Sequence, residues 1–186
     1  MRKLVFGINI SLDGCCDHTR FSGGDDVHNY FSDLLEQADT VIYVRKTYEL
    51  MVPFWPDVAK SQNMDDRSNA FAITFDALEK VVVSHTIIKA ADSNTEIIRE
   101  NLKEEVIKLK QKPGKAISTG GVDLPGQLIA LGLVDEFHVV VHPLMVGKGR
   151  RLFDEALFPE NHGLTLTGSK ILSSGCVALQ YEKLKK

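Results

Sequence analysis

Three short stretches of this chain end a run of apolar, β-branched residues with groups that bind anions: Val44-Arg45-Lys46-Thr47, Val83-Ser84-His85-Thr86 and Ser118-Thr119-Gly120-Gly121. Where such runs are strands of an α/β sheet, their carboxyl ends border the ligand crevice. The helices that follow present N–H groups and a positive dipole end to a phosphate. Arg45, Lys46, Ser84 and Thr86 would supply charge and hydroxyl donors. Gly120-Gly121 would let the main chain approach a pyrophosphate with no Cβ in the way. Each stretch alone is also an ordinary turn or helix start, but three in succession point to a nucleotide site. There is no G-x-G-x-x-G fingerprint and no G-x-x-x-x-G-K-[ST] loop, so neither a Rossmann dinucleotide fold nor a P-loop enzyme is supported.

Two carboxylates stand where a proton could be exchanged: Asp13, in Ser11-Leu12-Asp13-Gly14, and Asp26, at the start of a helix. Partly desolvated, either would have the raised pKa that general acid work wants. The plainer readings are a turn aspartate and a helix cap. His28 is one turn into the same helix and could face a pocket. Tyr30, Phe31 and Trp55 could stack on a flat heterocycle or belong to the core. His138 and His142 share one strand face at a spacing compatible with metal ligation. No carboxylate or thiol is placed to complete a set, and no metal is expected. The Lys148-Gly149-Arg150-Arg151 run either holds a substrate phosphate or forms a basic loop beside an interface, and the structural role is favoured.

These residues need elements to position them. Lys3 to Ile10 reads as a buried strand entering the turn at Ser11 to Gly14. After a loop from Thr19 to Gly24, Asp25 or Asp26 can cap a helix in which Val27, Tyr30, Phe31, Leu34, Leu35 and Ala38 recur at helical spacing. Thr40 to Val44 is a second strand, and Thr47 can cap a brief helix that Pro53 ends. From Pro53 to Ala77 the periodicity is poor, and Phe54-Trp55-Pro56 reads as a surface excursion around one anchored aromatic. Lys80 to Thr86 is a third strand. Leu102, Val106 and Leu109 mark an amphipathic helix stopped at Pro113-Gly114. Lys115 to Thr119 is a strand, and Leu124, Leu128 and Leu131 lie on a short helix ended by Gly132. Glu136 to His142, Leu164 to Leu166 and Cys176 to Leu184 read as strands with no long helix between them. The expected class is α/β, with a sheet that starts parallel and finishes antiparallel.

Composition narrows the function classes. A chain of 186 residues with 44% hydrophobic content suits one domain with a substantial core. A net charge of -3 and a pI near 6.1 leave no cationic excess for nucleic acid. Cys15, Cys16 and Cys176 form no C-x-x-C pair and read as free thiols in a reducing cytosol. The amino terminus does not read as a signal peptide, and no apolar run approaches the roughly 18 residues of a membrane span. A cytoplasmic protein without membrane or nucleic-acid partners is expected.

The succession Asn9-Ile10-Ser11-Leu12-Asp13-Gly14, Arg45-Lys46-Thr47-Tyr48-Glu49, Val82-Val83-Ser84-His85-Thr86, Gly120-Gly121-Val122-Asp123-Leu124, Gly132-Leu133-Val134-Asp135-Glu136 and Pro143 to Phe153 resembles the dihydrofolate reductase superfamily. The likeness is to the branch that includes the reductase domain of bacterial riboflavin biosynthesis, and it covers nearly the whole chain. It implies a three-layer α/β/α fold with a mostly parallel sheet, NADPH laid across the strand ends, and a homodimer. Arg45, Lys46 and Thr47 would approach the adenine-side phosphates. Ser84, His85 and Thr86 would lie near the adenosine ribose and its 2′-phosphate, and Thr119, Gly120, Gly121 and Leu124 at the pyrophosphate turn. Asn9 and the loop to Gly14 would border the nicotinamide and the substrate. Val44 and His85 depart from the family's usual glycine and its usual arginine or serine. A mostly neutral histidine is a weaker partner for a 2′-phosphate than arginine. NADPH over NADH therefore rests on Arg45, Lys46 and the resemblance.

The implied activity is hydride transfer from NADPH to a small heterocyclic or carbonyl substrate, a riboflavin-pathway pyrimidine or a pterin among them. The alternative, suggested by Val44 and His85, is a nucleotide-binding homodimer that keeps the fold without turnover.

Overall fold

A computed structural model describes residues 1–17, 19–21, 24–152 and 162–184. They form two compact units, each assembled from separate parts of the chain: Met1–Arg2 with Ser32–Thr119, and Lys3–Phe31 with Gly120–Lys186.

The first unit is built on β2 (Ala38–Val44), β3 (Glu79–Val83), β4 (Thr95–Ile98) and β5 (Ala116–Gly120). They are ordered β4-β3-β2-β5, and every pairing is parallel. Parallel strands are covered on both faces, which is why β2 and β3 carry near-continuous runs such as Thr-Val-Ile-Tyr-Val and Val-Val-Val. Helix α5 (Leu102–Gln111) buries Val106 and Leu109 and ends before Pro113, as its pattern predicts.

The segment from Pro53 to Ala77 departs from the sequence reading. It contains two helices, α3 (Trp55–Ser61) and α4 (Asp66–Ala77). Asp65 caps α4 by accepting the N–H groups of Arg67 and Ser68, both at 3.1 Å. Trp55 packs on Phe71 at 4.6 Å between ring centroids, and both rest on the cluster of Tyr48, Val52, Phe75 and Leu78. A few large rings bury enough area to hold both helices without a regular stripe. Strand β4, four residues long with a charged member, is a further departure from the sequence pattern.

The second unit contains β1 (Leu4–Ser11), β6 (Glu136–His142), β7 (Leu164–Ile171) and β8 (Val177–Lys183), ordered β1-β6-β8-β7. β1 and β6 are parallel, whereas β6–β8 and β8–β7 are antiparallel. The expected change from parallel to antiparallel pairing is thus present, and β7 is longer than predicted. Helix α1 (Asp25–Glu36) places Val27, Tyr30 and Phe31 on the cluster of Val140, Leu172, Cys176 and Ala178. Asp26 lies inside its first turn rather than at the cap. Helix α6 (Asp123–Ala130) follows Gly120-Gly121 and ends at Gly132, φ +68°. Among the described residues, no helix is long and apolar enough to cross a membrane.

Candidate functional site

The predicted junctions of the first unit come together because parallel pairing aligns strand ends. Val44 lies opposite Val83 across β2 and β3, and Ile42 opposite Thr119 across β2 and β5. Arg45 and Lys46 are exposed at the start of α2 (Arg45–Met51), and Thr47 is half-buried. The residue before α2 is Val44, extended at φ −79° and ψ 161° with no side-chain cap bond, so Thr47 is not the cap the sequence suggested. That conformation suits valine, and glycine is not required at position 44. Arg45 has Glu49 at 4.0 Å one turn on, an exposed pair worth little and easily displaced.

The hydroxyls at the other two strand ends do different work. Ser84 is buried, and its Oγ accepts the N–H groups of Thr86 (3.2 Å) and Ile87 (3.1 Å), closing the turn after β3. His85 and Thr86 are exposed. Thr119 is buried and donates its hydroxyl to the Ile42 carbonyl at 3.0 Å, so it ties β5 to β2 instead of offering a side-chain donor. Gly121 has φ +86°, and a Cβ there would meet nothing within 4 Å. Backbone conformation, not crowding, makes glycine the fitting residue there. Gly120 is less constrained: an added Cβ would be in ordinary contact with the Gly7 carbonyl at 3.6 Å. Leu124 is fully buried and can offer only apolar contact.

In the second unit the Asn9 to Gly14 segment and the run that begins at Pro143 fasten onto each other. Asp13 accepts the Ser11 hydroxyl at 2.5 Å and the N–H groups of Val146 (3.0 Å) and Gly147 (2.9 Å). Arg151 bonds the Asp13 carbonyl and sits 3.4 Å from its carboxylate. These donors, the Ser11 hydroxyl first and then the two amides, hold the Asp13 carboxyl well below the usual carboxylate range. Asp26 accepts the Ser174 N–H (2.6 Å) and the Ser173 hydroxyl (2.9 Å). The Ser174 amide is the largest cause of its lowered pKa, about 2. The raised pKa expected of a proton donor is therefore reversed at both residues. Each is an anion saturated by donors and serves to fasten loops.

Arg150 pairs with Asp123, so the basic run is bound internally as well. Phe153, at the end of that motif, lies outside the described residues.

The two histidines of β6 take separate partners. His138 bonds the Tyr30 hydroxyl and Glu136, both at 2.7 Å, and Glu136 also accepts Lys3 (2.9 Å) and Gln180 (2.7 Å). Tyr30 is thereby a core residue with a satisfied hydroxyl, not a free stacking platform. His142 contacts Asn9 at 3.2 Å and Cys176 at 3.4 Å, beneath the Phe21 ring. Sequence reasoning missed this group. The period-two pattern of β6 indicates the face of His142, but only the fold brings up Asn9 and Cys176. Trp55 belongs to the aromatic core of the first unit, and His28 is exposed.

The model of the RibD C-terminal domain family matches residues 2–178. Two uncharacterised proteins of Bacillus subtilis (strain 168) are similar along most of their length. YyaP is 32% identical over 187 residues, covering 97% of this chain and 94% of its own. YwjB is 29% identical over 166 residues, covering 83% and 84%. Among solved structures, a candidate riboflavin biosynthesis protein from Shewanella sp. PV-4 superposes over 100% of both chains with a TM-score of 0.73 at 18% identity. A pyrimidine reductase-like protein from Corynebacterium diphtheriae gives 0.68 at 14% identity, over 100% of this chain and 93% of the other. Acinetobacter baumannii RibD gives 0.63 at 15%, over 100% of this chain and 59% of that longer one. The fold is the dihydrofolate reductase-like α/β fold of those proteins, and the chain belongs to the RibD C-terminal domain family.

Proposed function

We propose that this protein is an NADPH-dependent reductase of a small heterocyclic or carbonyl compound, of the kind reduced in riboflavin biosynthesis. Family membership supports the reaction class. The observation that carries the cofactor is the exposed, weakly partnered edge of the first unit, with Arg45, Lys46, His85 and Thr86 at aligned ends of β2 and β3. Arg45 and Lys46 would neutralise phosphate, and His85 and Thr86 would donate to it. Asn9 is retained as a nicotinamide- or substrate-side group on the family resemblance. When bound, NADPH supplies the hydride. The protein's part is to hold, orient and desolvate the reacting groups. With Asp13 and Asp26 bound as anions, neither is proposed as the proton source. The homodimer belongs to the same proposal and is supported by the apolar exposure of β7 at Leu164, Leu166 and Ile171.

Calorimetric titration with NADPH and NADH tests this reading. Micromolar NADPH binding, weaker NADH binding and about a tenfold loss on Arg45→Ala, equivalent to about 1.4 kcal/mol, are expected. Absence of binding by either cofactor would overturn it. Binding without consumption across a panel of pyrimidines, pterins and quinones would favour the turnover-free binder that Val44 and His85 suggest.

A further inference from the structure

Asn9, His142 and Cys176 form a hydrogen-bonded row in the second unit. Asn9 lies on β1, His142 at the end of β6 and Cys176 just before β8. His142 and Cys176 are buried, at 3% and 2% exposure, and the Phe21 ring lies tilted against the imidazole with centroids 4.6 Å apart. Burial pushes the His142 pKa down, against a smaller opposing effect of Asp26, so the ring is neutral near pH 7 and carries a single N–H. Only two proton arrangements satisfy the row. In one, the Cys176 thiol donates to Nδ1 and Nε2–H donates to the Asn9 Oδ1. In the other, Nδ1–H faces the sulfur and the Asn9 amide is reversed, donating to Nε2.

Oδ1 of Asn9 lies 3.2 Å from Nε2, the amide orientation of the first arrangement. It leaves the Asn9 Nδ2 facing the other way, with no hydrogen-bond partner among the described residues and not enclosed. An amide nitrogen held so by a buried imidazole is a preset donor.

We propose that His142, held between the Cys176 sulfur and Asn9, is a positioning residue that makes Asn9 a hydrogen-bond donor to a ligand carbonyl oxygen. This deepens the reductase reading and rests on it for the location of the ligand. The carbonyl belongs either to the nicotinamide carboxamide or to the substrate. Both present a carbonyl acceptor, which an inverted Asn9 could not serve as a donor.

Long-range proton–nitrogen-15 spectra of the full chain labelled at histidine read the tautomer directly. A protonated Nε2 and bare Nδ1 at His142 are expected, and they should persist in Cys176→Ser, whose hydroxyl donates in place of the thiol. Protonation at Nδ1 would overturn the proposal whatever the protein binds. Calorimetry with NADPH, and with 5-aminouracil added to the NADPH-loaded protein, reads the consequence. Asn9→Asp keeps an acceptor for Nε2–H but removes the outward donor. About a tenfold loss of 5-aminouracil affinity assigns the substrate carbonyl, and the same loss confined to NADPH assigns the carboxamide. His142→Leu should lose affinity alike, whereas His142→Gln, whose amide can donate to Asn9, should recover most of it. Folded Asn9→Asp and His142→Leu proteins with wild-type affinity for both probes would overturn the proposal. A wild-type protein with the Nε2–H tautomer but no NADPH affinity would instead overturn the reductase reading, and 5-aminouracil alone would then decide the role of Asn9.

Discussion

The loops of the second unit and the strand ends of the first are both rich in charge, but the charge is used in opposite ways. Around Asp13, Asp26 and Arg150, anions meet donors and cations within the protein. Along the ends of β2 and β3, Arg45 and Lys46 are exposed, and the Arg45 ion pair is stretched to 4.0 Å. Matched charge fixes loops. Unmatched charge has no structural return and is what an anionic ligand would complete.

The largest effect that sharpens this contrast lies at the opposite end of β3, where charge is matched again. Lys80 is buried, 3.5 Å from Asp92, bonded to the carbonyls of Asp76 and Leu78 and placed over the Phe75 ring. Asp92→Ala strands that ammonium and is expected to lower the unfolding free energy by about 3–5 kcal/mol. Lys80→Met should cost less, about 1–2 kcal/mol, because Asp92 keeps the hydroxyls of Tyr48 and Thr95. Urea denaturation of the two variants decides it, and equal losses would break the account of Lys80 as the dependent partner.

Two glycines give a smaller and cleaner contrast. At Gly149, φ +149°, an added Cβ would lie 2.5 Å from the buried Cys15 sulfur, so Gly149→Ala should destabilise by about 1–3 kcal/mol. At Gly121 a Cβ meets open space, so Gly121→Ala should bear only conformational strain, about 1 kcal/mol. Its main effect should be on NADPH affinity. Thermal melts and calorimetry on the pair would break the comparison if the two readouts followed each other.

The smallest expected effect is in acid. The carboxyl of Asp26 is lowered from 3.8 to about 2 by its donors. Its contribution is therefore present above the ordinary carboxylate pKa and lost as pH falls from about 4 towards 2. Asp13 acts in the same direction. Urea midpoints of the wild type should fall through that window, and Asp26→Asn should flatten part of the slope.

Legibility in the sequence followed the range over which each feature is determined. β1, α1, α5 and β6 were readable because periodicity and punctuation are local. Helices α3 and α4 were not, because Trp55, Phe71 and Phe75 cohere as rings in space rather than as a stripe. The junction at Arg45 was readable as a strand end. The commitment of Thr119 to Ile42 was not, since its acceptor lies on a neighbouring strand. Asp13 looked like an isolated acid because its amide donors lie 133 and 134 residues away. A carboxylate's surroundings decide whether it is an acid or a fastener, and here the fold supplies those surroundings from the far end of the chain.

The parallel pairing of β1 with β6 also sets an order of events during synthesis. Val5 pairs with Glu136, so β1 leaves the ribosome 131 residues before this partner exists. At about 5–20 residues per second, that is a wait on the order of ten seconds. Within it the whole of Ser32–Thr119, the bulk of the first unit, has already emerged. The nascent chain must therefore keep the apolar Val5 and Phe6 from premature association while its middle folds. A slow stretch of translation between Thr119 and Glu136 would lengthen the wait of β1 for β6.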